Sequence, residues 1–154
     1  MENRTHEDYM KEALALAAEA AAKGEVPVGA VLVKDGQIIG TGRNRRELGK
    51  NALLHAEIEA IHQGCSRLGG WRLQGADLYV TLEPCPMCAG AIINARISRV
   101  FFGACDPKAG SCGSVVNLFE LPYNHKPALF PGLLEEECGA ILTGFFRKLR
   151  EKKR

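Results

Sequence analysis

The residues best suited to chemistry lie in two short motifs, His-Ala-Glu at residues 55–57 and Pro-Cys-Pro-Met-Cys at residues 84–88. Together they offer one imidazole and two thiols. Cys85 and Cys88 are three residues apart, so on a helix their side chains lie on one face. Pro86 suits the first helical position because its missing N–H would have no partner there. Both sulfurs are therefore predicted at a helix N-terminus, whose dipole favours thiolate, the form that binds a metal.

His55 opens another predicted helix, so two helix starts can bring these side chains to one ion. One imidazole and two thiolates suit Zn²⁺ and leave the fourth tetrahedral position open to water. Glu57 lies two residues beyond His55, about 200° around a regular helix, and is not expected to be a ligand on the same face. From the first turn it can approach the same water, take its proton and pass it to a leaving group. The pattern predicts hydrolysis by a metal-activated water.

Two other interpretations of the Cys-x-x-Cys motif stay open. It also occurs as a redox pair, although a redox role leaves the His-Ala-Glu motif unexplained. It also forms half of a structural zinc site, which needs a fourth ligand from among Cys65, Cys105, Cys112 and His62. Because none of these stands in a second paired motif, catalytic zinc is the favoured hypothesis. His6, His62 and His125 are expected to be surface or capping residues.

Length and charge set outer limits on the fold and its partners. The 154 residues suit a single domain over residues 1–154, and 46% apolar and 25% charged residues are typical of a soluble globular protein. The net charge is +2, but residues 147–154 carry six basic groups and one acidic group, so an acidic body ends in a basic tail. The segment after Met1 is polar and acidic, unlike a signal peptide, and the longest uncharged run, residues 84–95, is too short to span a membrane. We expect a soluble, cytoplasmic protein whose six cysteines serve metal or redox chemistry and not disulfides.

Hydrophobic periodicity and turn residues predict alternating helices and strands. A capping box at Thr5 starts the first helix, and Gly24 ends it. Asp35-Gly36 joins two antiparallel strands. Strands and helices then alternate, which predicts an α/β fold with a mixed sheet and helices on both faces. The strands are expected at residues 28–33, 37–42, 78–82, 99–103 and 128–130, with later helices from His55 to Gly64, at 85–95 and from 133 to about 149, and a loop at 106–114.

At these motifs the chain resembles the zinc-dependent nucleoside and nucleobase deaminases, which share the His-x-Glu and Pro-Cys-x-x-Cys signature. Within them it is similar to the bacterial tRNA-specific adenosine deaminases from about His6 to Arg150. The zinc signature specifies only the superfamily, whereas the flanking segments specify the branch. Those segments are EVPVGAV at 25–31, NR at 44–45, HAE at 55–57, TLEPCPMCAGA at 81–91, GACDPK at 103–108, NH at 124–125 and FFR at 145–147.

The resemblance implies a cytidine-deaminase-like three-layer α/β/α fold around a five-stranded mixed sheet with an antiparallel first pair. It implies one Zn²⁺ per subunit, held by His55, Cys85 and Cys88, and a hydroxide that attacks C6 of adenine. Glu57 would carry the proton of the water to N1 and then assist the departure of ammonia. The product would be inosine at wobble position 34 of a tRNA anticodon, typically that of an arginine tRNA.

The resemblance also implies a homodimer that draws contacts to the anticodon stem-loop from both subunits. Asn44 matches the asparagine that hydrogen-bonds the target base, and the backbone of Ala56 lies against the same pocket. The residues matched to flanking nucleotides are Asp106, Lys108, Asn124, Phe145 and Arg150. From the sequence pattern alone, Phe145 and Phe146 could equally be core residues of the last helix.

Two competing functions remain open from the sequence. A small-molecule deaminase acting on cytosine, guanine or a nucleoside would share the zinc site. A structural zinc or RNA-binding module would have the cysteines but no turnover, and in it Glu57 would have no role.

Overall fold

The structure, a computed structural model, describes residues 4–153. Residues 1–3, which begin the polar N-terminal segment, and Arg154, the last residue of the predicted basic tail, lie outside the described residues. Within residues 4–153, no helix is both long and apolar enough to cross a membrane. The helices are α1 (His6–Ala22), α2 (Ala56–Leu68), α3 (Pro86–Asn94) and α4 (Glu135–Lys152), and the strands are β1 (Gly29–Lys34), β2 (Gln37–Arg43), β3 (Asp77–Leu82), β4 (Arg99–Ala104) and β5 (Ala128–Pro131).

The five strands form one mixed sheet in the order β2-β1-β3-β4-β5. β1 pairs antiparallel with both β2 and β3, whereas β3, β4 and β5 run parallel. The parallel pairs need crossover connections, and α3 supplies the one between β3 and β4. The predicted α/β fold with a mixed five-stranded sheet and an antiparallel first pair is confirmed.

Helices cover both faces of the sheet. Neighbouring residues of a strand point to opposite faces, so Val31 and Leu32 of β1 enter different clusters. The Leu32 cluster lies under α2 and α3, and the Val31 cluster lies under α1 and α4. Representative helix residues are Ala60 and Ile92 on the first face, and Met10 and Cys138 on the second.

The parallel pair β3 and β4 determines where the following segments emerge. The last paired residues are Leu82 and Ala104. The Glu83 N–H then donates to the Ala104 carbonyl oxygen at 2.8 Å, which extends the pairing by one residue. Because parallel strands end at the same edge of a sheet, the segments that start at Glu83 and Cys105 leave side by side. This edge is where α/β folds usually bind ligands.

The start of α1 is confirmed and the end of α2 is corrected. The Thr5 hydroxyl accepts from the Asp8 N–H at 3.1 Å, and the Asp8 carboxylate accepts from the Thr5 N–H at 2.9 Å. The prediction that α2 ends near Gly64 is wrong, because the helix continues to Leu68 and Gly69 adopts the left-handed conformation that ends it. Position 64 lies inside the helix, and glycine suits it because a Cβ there would meet the Leu32 side chain.

The C-terminal half differs from prediction mainly at element ends. The final helix begins at Glu135, after Leu134 with φ of 52°, and ends at Lys152, so it starts later and runs further than predicted. The loop over residues 106–114 is confirmed. A short 3-10 helix, Leu118–Glu120, was not predicted, and the Asn117 side chain caps it by accepting from the Phe119 N–H at 3.0 Å.

Replacement of Gly42 tests the contact between β2 and α2. A Cβ on Gly42 would meet the backbone carbonyl oxygen of Ala56, the first residue of α2. Backbone cannot move aside as a flexible side chain can, so Gly42→Ala should lower the free energy of unfolding by about 1–3 kcal/mol. Gly144→Ala in α4, where a Cβ would meet nothing within 4 Å, is the control and should raise it by up to about 1 kcal/mol. Urea denaturation checks both, and equal stability of the two variants would contradict the prediction.

Candidate active site and metal centre

Two helix N-termini bring together the three predicted metal ligands. His55 is the N-cap of α2, Cys85 is the N-cap of α3, and Cys88 lies in the first turn of α3 after Pro86. The Cys85 and Cys88 sulfurs each lie 3.6 Å from His55 Nδ1, and the donor atoms of the group all lie within 4.8 Å of one another. The two motifs, separate in sequence, therefore form one site.

The spacing of these donor atoms fits a tetrahedral zinc ion. Zinc bonds of about 2.0–2.1 Å to nitrogen and about 2.3 Å to sulfur place the nitrogen and a sulfur about 3.5–3.6 Å apart. Both observed separations are 3.6 Å. Among residues 4–153 no fourth His, Cys, Asp or Glu joins the group, so neither His62 nor Cys65, Cys105 or Cys112 closes it. A group of three protein ligands is typical of sites that keep one position open for water or substrate.

Local hydrogen bonds favour a thiolate at Cys85. The hydrogen bond with the Cys88 thiol, together with hydrogen bonds to His55 and the Cys88 N–H, outweighs the effect of burial and lowers the pKa of Cys85 to about 4. The same bond, together with burial, raises the pKa of Cys88. Hydrogen bonding to Cys85 raises the pKa of His55. Cys85 therefore carries negative charge at neutral pH, as a metal-binding thiol must.

Glu57 lies beside the metal group in the first turn of α2 and lines the same cavity. Its side chain is only 3% exposed. Burial raises the pKa of Glu57 to about 7, and the charge of Cys85 acts in the same direction, while a hydrogen bond from its own backbone N–H opposes them. A carboxyl group with a pKa near neutrality can both accept and release a proton at physiological pH.

A cavity of about 520 Å³ opens above these residues. Its floor contains His55, Ala56, Glu57 and Cys85. One wall comes from the segments around Val26 and Asn44, and another comes from the segment that follows β4. The residues lining the two walls are Val26, Val28, Asn44 and Arg46 on the first, and Cys105, Asp106, Pro107, Lys108 and Ala109 on the second, with Leu82, Glu83, Leu142 and Phe146 completing the cavity.

The residues predicted to bind substrate lie in three kinds of place: in the cavity, in an adjacent groove, and outside both. Asn44, Ala56, Asp106 and Lys108 all line the cavity. Arg150 lies in an adjacent groove of about 360 Å³, which shares Lys108 and Phe146 with the cavity and also contains Leu149 and Lys153. Phe145 lies outside both sets of lining residues, and its neighbour Phe146 takes that place, since adjacent residues of a helix face different directions. Asn124 is exposed and also lies outside both sets.

Backbone contacts hold Asn44 against the first wall. Its side-chain Nδ2 donates to the Val26 carbonyl oxygen at 3.2 Å, and its Oδ1 accepts from the Arg46 N–H at 3.1 Å. Its own N–H donates to the Val28 carbonyl oxygen at 3.0 Å. One proton of the side-chain NH₂ and one lone pair of Oδ1 remain for a ligand.

Two buried carboxylates beside the cavity were not singled out from the sequence. Glu25 is 1% exposed and accepts from the N–H groups of Glu47 and Leu48 at 3.0 and 2.7 Å. Glu83 is 2% exposed and accepts from the segment that follows β4. Each lies inside a segment quoted for the family resemblance, 25–31 or 81–91, but burial of a Glu is visible only in three dimensions.

Comparisons with known proteins identify the family of the chain. A family model described as MafB19-like deaminase matches residues 4–150. The chain is 54% identical over 147 residues to the tRNA-specific adenosine deaminase of Bacillus subtilis strain 168, with 95% of this chain and 91% of that protein covered. The chain belongs to the family of tRNA-specific adenosine deaminases. The resemblance stated from the motifs is confirmed.

Solved structures of deaminases share the fold of this family member. One, from a study of A-to-I editing by tRNA:A34 deaminases at the wobble position of transfer RNA, matches with a TM-score of 0.85 and 49% identity, covering 90% of this chain and all of that one. Another, the guanine deaminase of Bacillus subtilis, matches with a TM-score of 0.65 and 37% identity, covering 82% and 84% of the two chains. Proteins that share this fold therefore include a deaminase named for tRNA and one named for a free base.

Removal of one ligand tests the metal centre of this deaminase. Cys88→Ser should weaken metal binding at least about a hundredfold, because one of three protein ligands is lost. Elemental analysis of the dialysed protein should then find metal in the unaltered chain and little in the variant. Cys105→Ser, an exposed cysteine in the same cavity but outside the group, is the control and should keep its metal. Metal loss in Cys105→Ser would point instead to a closed four-ligand site.

Proposed function

We propose that the protein catalyses zinc-dependent hydrolytic deamination of adenosine to inosine at wobble position 34 of tRNA, with an arginine tRNA as substrate. The observation that carries the proposal is the cavity floor, where His55, Cys85 and Cys88 converge beside the buried carboxyl group of Glu57. The identity of 54% to a tRNA-specific adenosine deaminase supports the choice of substrate.

His55, Cys85 and Cys88 would hold the zinc ion, since their types and spacing fit it. Zinc bound there supplies Lewis-acid chemistry, which lowers the pKa of a water molecule toward neutrality. In the reaction a C6–O bond forms, the C6–N bond breaks, and ammonia leaves. Glu57 takes a proton from the water, delivers it to N1 of the base and assists protonation of the leaving amine. Its burial at the cavity floor keeps this proton away from bulk solvent.

The cavity walls would orient the base and its neighbours. Asn44 hydrogen-bonds the target base with the side-chain donor and acceptor that its backbone contacts leave free. The Ala56 backbone lies against the same base. Lys108 lines both the cavity and the adjacent groove, so a nucleotide strand that leaves the cavity would pass it on the way to Arg150. Asp106, Asn124 and Phe145 complete the proposed set on the strength of the family resemblance.

The local charge favours a short RNA loop over a long duplex. Arg46 lines the cavity, and Lys108, Arg150 and Lys153 line the groove beside it. Such a cluster suits a few phosphate contacts. An anticodon loop already presents unpaired bases, so turning one into the cavity costs less unstacking than it would in a duplex.

The proposal extends to organisation and location. It takes the 154 residues as one deaminase domain that works as a homodimer, with RNA contacts from both subunits. It places the protein in the cytoplasm, where its tRNA substrate is found. These parts rest on the family resemblance.

Deamination of a free base is the second candidate function. The structural similarity to the guanine deaminase of Bacillus subtilis favours it, because that protein is 37% identical and shares the fold. The basic groove beside the cavity favours RNA, since a free base carries no phosphate to occupy it.

A substrate comparison decides between the two functions. Purified protein should convert adenosine to inosine at the wobble position of an arginine anticodon stem-loop, read as A-to-G changes after reverse transcription. The same stem-loop with the adenosine moved one position is the control and should react at least about tenfold more slowly, because the flanking contacts no longer match. Deamination of guanine or cytosine without inosine in the RNA would overturn the proposal.

Replacement of the buried carboxyl group tests turnover apart from binding. Glu57→Gln keeps the side-chain shape but cannot carry the proton, so inosine formation should fall about a hundred- to ten-thousandfold. Metal content and stem-loop affinity should stay within about twofold, since the ligands are untouched. Glu12→Gln, an exposed residue of α1, controls for loss of charge and should be fully active. Unchanged inosine formation by Glu57→Gln would contradict the proton-carrying role of Glu57, whereas stem-loop binding without inosine formation by the unaltered chain would indicate a binding module without turnover.

A further inference from the structure

The segment that follows β4 forms one cavity wall without regular secondary structure. Residues 105–109 line the cavity, and residues 105–117 contain neither a helix nor a named strand. Cys105 and the three residues from Pro107 to Ala109 are exposed. Such a segment keeps one shape only where specific contacts hold it, because its backbone lacks a ladder of hydrogen bonds.

Beside backbone bonds such as that from the Ser111 N–H to the Pro84 carbonyl oxygen at 2.9 Å, four of these contacts come from Glu83. Its Oε1 accepts from the Asp106 N–H at 3.0 Å and from the Ser114 hydroxyl. Its Oε2 accepts from the N–H groups of Cys112 and Ser114, each at 3.0 Å. Hydrogen bonds to an ionised carboxylate are about twice as strong as neutral ones.

The backbone of the segment is fitted to this carboxylate. A Cβ on Gly110 would meet the Glu83 carboxyl group, so only glycine allows the chain to pass this close. The Asp106 side chain then accepts from the N–H groups of Lys108 and Ala109 at 3.1 and 3.3 Å. The position of Lys108 therefore follows from the bond between Glu83 and the Asp106 backbone.

We propose that Glu83 is a positioning residue that holds residues 105–109 as a fixed wall of the cavity and so sets how nucleotides flanking the target base are bound. The inference rests on the proposed function for the identity of the ligand. Glu83 acts through the wall and not on the reacting atoms, because both of its oxygens are taken by four donors from the segment.

Two variants test this role without altering residue 83, which stands close to the ligand Cys85. Ser114→Ala removes one donor, and Gly110→Ala forces the carboxylate and the segment apart; neither side chain lines the cavity. Both should raise KM for the anticodon stem-loop about tenfold and leave kcat and metal content within about twofold, because flanking contacts bind substrate and transition state alike. Ser98→Ala is the matched control. The Ser98 hydroxyl accepts from the Gly75 N–H at 2.7 Å and lies outside the cavity lining, so this variant should keep the KM of the unaltered chain.

Amide hydrogen exchange separates failure of this inference from failure of the proposed function. The N–H groups of Asp106, Cys112 and Ser114 should exchange about tenfold faster in both variants, independently of any substrate. Normal exchange, or faster exchange with unchanged KM, would overturn the positioning role. A fall in kcat or metal content at constant KM would also overturn it. Absence of inosine formation by the unaltered chain would instead refute the proposed function, and the exchange rates would still show whether Glu83 anchors the wall.

Discussion

Parallel pairing of β3 with β4 is the constraint on which the site depends. It ends at Leu82 and Ala104, and the chain leaves both strands at the same edge of the sheet. One exit leads through Glu83 and Pro84 to the α3 N-terminus, and the other becomes a cavity wall. The remaining predicted metal ligand, His55, is the N-cap of α2, which packs on the same face of the sheet as α3. Since α2 also lies close against β2, the antiparallel half of the sheet positions His55 while the parallel half positions the cysteines.

Three buried carboxyl groups surround the cavity, and their hydrogen-bond partners give them different capacities. Both oxygens of Glu25 and both of Glu83 accept from N–H groups of cavity-wall segments. In Glu83 these bonds outweigh the effect of burial and lower the pKa of the carboxyl group. Glu57 is equally buried but has no such set of loop donors among its hydrogen bonds, and burial raises its pKa to about 7. Glu25 and Glu83 therefore hold neighbouring backbone segments in place, whereas Glu57 can exchange a proton.

The sequence predicted those features that depend on local spacing. The capping box at Thr5, the turn at Asp35-Gly36 and the Cys-x-x-Cys pair on one helix each need only neighbouring residues, and all are present. Gly64 was misread as a helix end because the reason for it, the Leu32 side chain against the helix, comes from a distant strand. Glu83 went unnoticed for the same reason, as its partners lie 23 to 31 residues away. At Phe145 and Phe146 the motif specified the segment, but only the rotation of α4 determines which ring reaches the cavity.

The net charge of the sequence likewise does not show where the charged residues lie, whereas the structure does. The net charge of +2 for 154 residues is an average that carries no sign of a nucleic-acid partner. In three dimensions the last helix turns part of its basic end toward the cavity, where Arg150 and Lys153 join Lys108 across a groove next to Phe146. An aromatic ring among three cations offers a base a stacking surface and a phosphate its counter-charge within one groove. Lys108 belongs to the cavity wall that Glu83 contacts, whereas Arg150 belongs to α4, so two separate parts of the fold supply the charges of this groove. The contacts that hold the segment after β4 therefore also place one of the positive charges of the groove, that of Lys108.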